Sequence, residues 1–289
     1  MVYTTKPPVG TQLDFSNPLN NGLAALWIFN EGTGNRVYDL SGNANNGTLI
    51  NIASPPTTIS GWNPGRLGPC ISVDGINDYI NVGQPPSLMF TGAMTVEAWI
   101  NPRSVVEDYR IIAKQGISGS RSWNLVSPTK PYFQISSNGT DIFYVQCASS
   151  INVNEWTHLV AVYIPSVALR IYKNGILDGE NTTSIPSSQY INNGMDINIG
   201  RRPDGLIEHQ FPGSISKVSI WNRALSTQEI KQLYINPYDM FIDTRKWKCS
   251  GSPNYICSQE TDGIYNTETE CVNACKEPCT PPTCNFTIY

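Results

Sequence analysis

Short apolar runs separated by Asn-Gly and Asp-Gly pairs extend along this chain, and that punctuation restricts its fold more than any other feature. Both residues of such a pair tolerate the positive φ that a two-residue hairpin turn requires. The clearest case is Asn174-Gly175, between Leu169–Lys173 and Ile176-Leu177. Asn138-Gly139 stands between Tyr132–Ser136 and Ile142–Cys147, and Asp74-Gly75 between Cys70–Val73 and Tyr79–Val82, where it reads as a tight turn. Thr95–Ile100 alternates with a period of two: Val96, Ala98 and Ile100 share one face, Thr95, Glu97 and Trp99 the other. Leu23–Asn30, Trp156–Ile164, Ile197–Ile199 and Ile215–Trp221 add further strands. One helix is predicted. Ser226-Thr-Gln-Glu229 forms a capping box, Ile230, Leu233 and Tyr234 supply an apolar face, and Asn236-Pro237 ends it. About a dozen short strands with one short helix make an all-β, two-sheet antiparallel sandwich.

Three segments follow. Residues 1–20 are rich in Pro, Thr and Asn and lack periodicity, so they read as an extended N-terminal arm. Residues 21–240 hold the sandwich. Residues 241–289 carry Cys249, Cys257, Cys271, Cys275, Cys279 and Cys284, six of the eight cysteines, and read as a disulfide-stapled tail. Cys70 and Cys147 lie in the body, and the sequence leaves open whether they pair. The tail predicts an oxidising, extracellular environment, yet the N-terminus shows no apolar signal-peptide core. With 19 basic against 23 acidic residues there is no basic stripe, which argues against nucleic acid, and no apolar run long enough for membrane insertion.

At this point the motifs resemble a known family. Gly22-Leu-Ala-Ala-Leu-Trp-Ile-Phe-Asn-Glu-Gly32, Asp39-Leu-Ser-Gly-Asn43, Val73–Val82, Thr95–Ile100, Trp156-Thr-His-Leu-Val160, Ile171-Tyr-Lys-Asn-Gly175 and Phe211–Ile215 with Trp221–Ile230 are similar, in order, to laminin G-like domains. The resemblance implies a concanavalin A-like jelly roll with loops at its rims, and a binding or structural role without a fixed ligand. The tail piece Gly263–Cys275 resembles the helical end of Kunitz-type domains. That likeness implies pairings Cys249–Cys275 and Cys257–Cys271, with Cys279–Cys284 as a local loop. The arm, Lys6-Pro-Pro-Val-Gly-Thr-Gln-Leu13 and Asn17-Pro-Leu19, resembles the lead-ins of phage-encoded proteins of this type.

The candidate sites are few. Asp39, Asn43 and Asn46 offer hard oxygens on a turning loop and form the candidate calcium site; an Asx-rich turn that caps its own backbone is the alternative. Trp62 and Trp123, in loop-like contexts, are the ligand-facing aromatics, whereas Trp27, Trp99, Trp156 and Trp221 read as core. Arg201, Arg202 and His209 lie at a predicted rim and complete the candidate ligand set. His158, on an apolar strand, reads as a satisfied buried histidine. Retaining glycoside hydrolysis needs two carboxylates roughly 5 Å apart, and Glu97 stands alone in its strand, so no catalytic residue is assigned. Three function classes remain: a virion-surface module such as a phage capsid decoration or fibre head, a secreted carbohydrate-binding lectin and, distantly, a glycoside hydrolase. The expected partners are neighbouring particle or capsid proteins in a homo-oligomer, glycans, or both.

Overall fold

The computed structural model describes residues 5–205 and 209–242, and the backbone of 246–250 and 256–260. The chain divides into a body, Met1–Phe241, and a second unit, Ile242–Tyr289. The body strands are β1 (Leu23–Trp27), β2 (Arg36–Val37), β3 (Gly47–Ile50), β4 (Gly61–Gly65), β5 (Gly68–Val73), β6 (Tyr79–Gly83), β7 (Met94–Pro102) and β8 (Arg110–Gln115). They continue with β9 (Arg121–Val126), β10 (Tyr132–Ile135), β11 (Phe143–Gln146), β12 (Thr157–Ile164), β13 (Ala168–Lys173), β14 (Ile176–Asn181), β15 (Ile197–Ile199) and β16 (Gly213–Trp221). Helix α1 (Thr227–Ile235) follows. Sheet 1 runs β14-β13-β12-β7-β16-β5-β4, with β1 also on β16; sheet 2 runs β11-β10-β9-β8-β15-β6-β3-β2. Among the described residues no helix is long and apolar enough to cross a membrane.

The two sheets bury their facing side chains together. Val96, Ala98 and Ile100 of β7 and Leu159 and Ala161 of β12 meet Leu125 of β9 and Phe133 of β10 in one core. A second core lies on the far side of sheet 1. There Leu26, Val160, Val162, Tyr172 and Trp221 pack under Ile230 and Leu233 of α1 and under Tyr238, Met240 and Phe241. The central strands β12, β7 and β16 are therefore buried on both faces, so even the polar face of β7, with Thr95 and Glu97, is sealed from water. The capping box is formed, with Ser226 accepting from the Glu229 amide and the Glu229 side chain accepting from the Ser226 amide. Asn174-Gly175 turns with φ of 51° and 77° between register partners Lys173 and Ile176.

One expectation is corrected. Asp74-Gly75 does not close a hairpin, because β5 belongs to sheet 1 and β6 to sheet 2. The Asp74 carboxylate instead accepts from the amides of Ile76, Asn77 and Asp78 and organises a crossover between sheets. The N-terminal arm is anchored at several points on the chain's own sandwich. Leu13 and Leu19 are buried in the second core, Leu13 bridges Phe241, and the Asn20 side-chain amide donates to the Asp14 and Met240 carbonyls. Aperiodic sequence orders only where another surface supplies its partners, and here that surface is the same chain.

In the second unit, β17 (Lys246–Ser250) and β18 (Ile256–Glu260) pair as an antiparallel hairpin. Cys249 and Cys257 are register partners in it. Cys271, Cys275, Cys279 and Cys284 lie outside the described residues, as does each expected pairing through them. In the body, Cys70 and Cys147 are free, buried thiols. Burial raises the pKa of both, which keeps them protonated and unreactive.

Candidate functional site

Strand β4 is the edge of sheet 1, and its hairpin with β5 forms one wall of an open groove. The groove has a volume of about 410 Å³ and is lined by Gly32, Trp62, Asn63, Pro64, Gly65, Gly68 and Pro69. Trp62 pairs with Ile71 and leans its half-buried ring on the inter-sheet core. Its indole N–H donates to the Gly34 carbonyl at 3.0 Å, which fixes the ring between the hairpin and the loop after β1. Pro64 and Pro69 are register partners, so the hairpin presents two rigid rings side by side. Pro64 also lacks an N–H, which makes this edge a poor template for a further strand. Gly65 is required by packing: a Cβ there would stand 2.5 Å from the Cys70 Cβ.

The groove offers shape and apolar surface but no reactive group. Its one polar lining side chain, Asn63, donates its amide to the Thr57 and Gly61 carbonyls. Behind the wall lies the Lys6 ammonium, which donates to the carbonyls of Phe29 at 3.2 Å, Ser216 at 2.8 Å and Pro69. Burial pulls the Lys6 pKa down to about 7, while Cys70 and Glu31 pull the other way. An aromatic ring beside prolines and glycines is a stacking platform: it takes a flat apolar face and leaves the ligand's polar rim to water and backbone.

A second polar cluster sits under α1. Glu97, His158 and Lys217 project from β7, β12 and β16 on the outer face of sheet 1, and each is fully buried. The Lys217 ammonium lies 3.1 Å and 3.0 Å from the two Glu97 carboxylate oxygens and donates to the Pro237 carbonyl at 2.8 Å. His158 Nε2 is 3.1 Å from Glu97 Oε1, so beside an ionised carboxylate it carries the proton and donates. Its Nδ1 is buried without a hydrogen-bond partner. Trp99 stacks on His158 at 4.8 Å, Tyr234 of α1 stacks on both rings at 5.8 Å, and the Arg66 guanidinium lies 3.8 Å from the Trp99 ring centre. Burial raises the Glu97 pKa, but the Lys217 charge and the His158 hydrogen bond outweigh it and hold the carboxyl below its usual range. The carboxylate that stood alone in sequence is thus a sealed ion pair without access to substrate. Lys217 was missed in sequence. The available signal is that Lys217 is the single charged residue of its strand, as Glu97 is of its own.

The other predicted site residues do not converge. Trp123 is a core residue, not ligand-facing: it lies opposite Ile135 in sheet 2, with its side chain in the inter-sheet core. Arg202 is buried against Asp204 at 2.8 Å. Arg201 stacks on Tyr79 at 4.3 Å, and its Nε donates to the Arg202 carbonyl. His209 is half-buried beside the undescribed residues 206–208. Asp39, Asn43 and Asn46 do cluster, but around their own backbone. The Asp39 carboxylate accepts from the amides of Leu26, Ser41 and Asn45 and from the Ser41 hydroxyl, each at 2.8–2.9 Å. The Asn46 side-chain oxygen accepts from the Asp39 amide, and Asn43 turns its NH₂ to the Ala24 carbonyl. Among the described residues no three His, Cys, Asp or Glu side chains form a metal-binding group.

The fold has solved counterparts. The binding domain of Paraclostridial Mosquitocidal Protein 1 matches with a TM-score of 0.60 at 16% identity, over 83% of this chain and 64% of its own length. Domain 4 of AbnA, a GH43 extracellular arabinanase from Geobacillus stearothermophilus solved in complex with arabinotriose, matches with a TM-score of 0.55 at 17% identity, over 73% of this chain and 98% of its own. The botulinum neurotoxin type G receptor binding domain matches with a TM-score of 0.54 at 15% identity, over 74% of this chain and 51% of its own. This chain therefore spans about two-thirds of the mosquitocidal domain and about half of the neurotoxin domain. No curated protein sequence matches it. A laminin G-type family profile matches residues 74–231, more than half of the chain, and the chain belongs to the concanavalin A-like lectin/glucanases superfamily.

Proposed function

We propose that the chain is a non-catalytic, extracellular glycan-binding module that takes an uncharged saccharide against Trp62. The observation that carries this reading is the groove itself: an anchored indole flanked by Pro64, Pro69 and glycines, with no charged side chain in its lining. An acidic sugar would lose water from its charge there without gaining a partner, whereas a neutral ring loses little. The arabinotriose-bound arabinanase domain shows that a domain of this fold holds a neutral oligosaccharide. The groove sets a half-buried aromatic wall beside two sealed cores, an arrangement suited to holding a ligand rather than transforming it.

A place on a virion or other particle is the second reading. It rests on the likeness of the arm to phage-encoded lead-ins; Lys6, Leu13 and Leu19 of that arm are buried against the chain's own body, so glycan binding is preferred. The test is a neutral and acidic oligosaccharide array probed with the wild type and Trp62→Ala, alongside an assay for released reducing sugar. Neutral-glycan signals that vanish with Trp62→Ala, without hydrolysis, are expected. Truncating an aromatic anchor costs on the order of 2 kcal/mol or more, roughly thirty-fold in affinity. Signals indifferent to Trp62, or sugar release by the wild type, would overturn the reading.

A further inference from the structure

The groove has two walls from separate parts of the chain. Gly32 follows β1, while Trp62–Gly65 and Gly68–Pro69 belong to the β4–β5 hairpin. Sheet 1 does not set their separation directly, because β1 pairs with β16 and not with β4 or β5. Beside the Trp62 indole, which reaches across to Gly34 at the rim, a second side chain joins both walls from behind. The Lys6 ammonium donates to the Phe29 carbonyl, three residues before Gly32, and to the Pro69 carbonyl in the opposite wall. Its third bond, to Ser216, ties the junction to β16 in the middle of the sheet.

The backbone of the same segment completes the clamp. The Lys6 amide donates to the Leu67 carbonyl at 2.6 Å, and the Pro7 carbonyl accepts from the Asn30 side-chain amide at 2.8 Å. Leu67 holds φ at 63°, a region that non-glycine residues rarely occupy, so the hairpin tip needs outside support to keep its shape. The Lys6 stem lies along Gly68, where a Cβ would meet the Lys6 Cβ, Cγ and Cδ at 3.3 Å. An ammonium has three donors, and here three carbonyls from three chain segments take them. The ammonium is not part of the groove lining and meets it only through the Pro69 carbonyl, so its effect on a ligand is transmitted through the walls.

We infer that Lys6 is the positioning residue of the Trp62 groove, so that the N-terminal segment is part of the ligand site although it does not line it. The inference rests on the glycan-binding reading above. A site whose walls are fixed before binding does not lose affinity to ordering them, and releasing the strut reintroduces that cost.

The experiment uses the full chain and the neutral oligosaccharide giving the strongest Trp62-dependent array signal, with arabinotriose as a fixed second probe. Affinities are measured by calorimetry well below the melting temperatures of Lys6→Met, Lys6→Gln, Leu13→Ala and Trp62→Ala. Leu13→Ala loosens the same segment at its far end, against Phe241, and serves as the stability control. Lys6→Met is expected to bind about ten-fold more weakly than the wild type, and Lys6→Gln, which keeps two donors, to fall between them. Leu13→Ala should bind as the wild type does despite a lower melting temperature. Should Lys6→Met fail to fold, Lys6→Gln against Leu13→Ala decides alone. Wild-type affinity in the Lys6 variants, or equal losses in Lys6 and Leu13 variants, would overturn the inference while leaving a Trp62-dependent groove intact. If Trp62→Ala has no effect, the groove reading fails first and the inference with it.

Discussion

The outer face of sheet 1 and its β4 edge treat polarity in opposite ways. Under α1, three ionisable side chains with the composition of an active site are sealed together: Glu97, His158 and Lys217 each have no exposure. At the edge, the groove is lined by Trp, Pro, Gly and a single Asn whose amide is already committed to backbone. Chemically expressive residues thus mark the structural site, and inexpressive ones mark the candidate ligand site. Accessibility explains the difference. A buried charge must find a partner inside the protein, which removes it from chemistry, whereas an open groove binds through shape and apolar area alone.

Breaking the sealed cluster should give the largest effect. Glu97→Ala leaves Lys217 buried without its counter-ion and His158 Nε2 without an acceptor. The expected destabilisation is about 3–5 kcal/mol, read from urea denaturation. The apolar double replacement Glu97→Leu with Lys217→Met should recover much of that loss, because no charge is then stranded. A single Glu97→Ala variant as stable as the wild type would show that water enters the cluster and that the contrast with the groove is one of degree.

The same cluster should make stability sensitive to acid. Burial lowers the His158 pKa from its ordinary 6.5, ahead of the opposing pull of Glu97. Below pH 6.5 the unfolded chain therefore takes up a proton that the folded His158 refuses, and stability falls as pH drops through that value. Glu97 adds a loss at lower pH. Its folded pKa lies below the ordinary 4.5, so its contribution is present above 4.5 and disappears as pH falls toward the folded value. Melting temperatures measured from pH 7.5 to about 2 should decline in this order, and His158→Gln should flatten the upper part. An unchanged upper slope in His158→Gln would assign the acid response to other groups.

The groove should respond in the reverse sense, with a small structural and a large functional effect. Trp62 is half-buried and packs on the core with one side only, so Trp62→Ala should cost about 1–2 kcal/mol of stability while removing glycan binding. A destabilisation as large as that of Glu97→Ala would make Trp62 a core residue and weaken its claim as a platform.

Local signals were readable in sequence wherever a feature is made by neighbours along the chain. The Ser226–Glu229 capping box, the Asn174-Gly175 turn and the two faces of Thr95–Ile100 are of this kind. Long-range placement was not readable. Asp74-Gly75 has hairpin chemistry, yet its flanking strands separate into different sheets, because turn residues fix a local bend and not the pairing partner. Trp123 sits among the polar residues Arg121, Ser122 and Asn124, which gives it the composition of a loop, but in β9 its immediate neighbours Ser122 and Asn124 take the other face while the indole faces the core. Trp62 could be singled out as a ligand-facing aromatic, whereas Pro64 and Pro69 carry no chemical signal and become a wall only through the β4–β5 pairing. Lys6 was the least legible: one cation in an aperiodic arm whose acceptors lie 23, 63 and 210 positions away.

The smallest expected effect concerns the Asp39 loop, where sequence and structure pull apart most quietly. Hard oxygens on a turning loop are what calcium requires, and Asp39, Asn43 and Asn46 supply them in composition. Binding also needs lone pairs that are free to face the ion. Asp39 directs both oxygens at four donors of its own chain, and Asn46 gives its oxygen to the Asp39 amide. Asn43 presents NH₂ rather than oxygen to its neighbours. Calcium would have to displace these hydrogen bonds, and three of the four donors to Asp39 are backbone amides that would then need new partners. A ligand stabilises the native state only by the logarithm of its concentration over its dissociation constant, so a loop that gives up several bonds to admit the ion leaves little net shift. The melting temperature should therefore be the same in chelator and in millimolar calcium, and Asp39→Asn should lower it equally in both. A rise confined to calcium and lost in Asp39→Asn would show that the loop reopens around the ion, and would make this rim a second ligand site beside the groove.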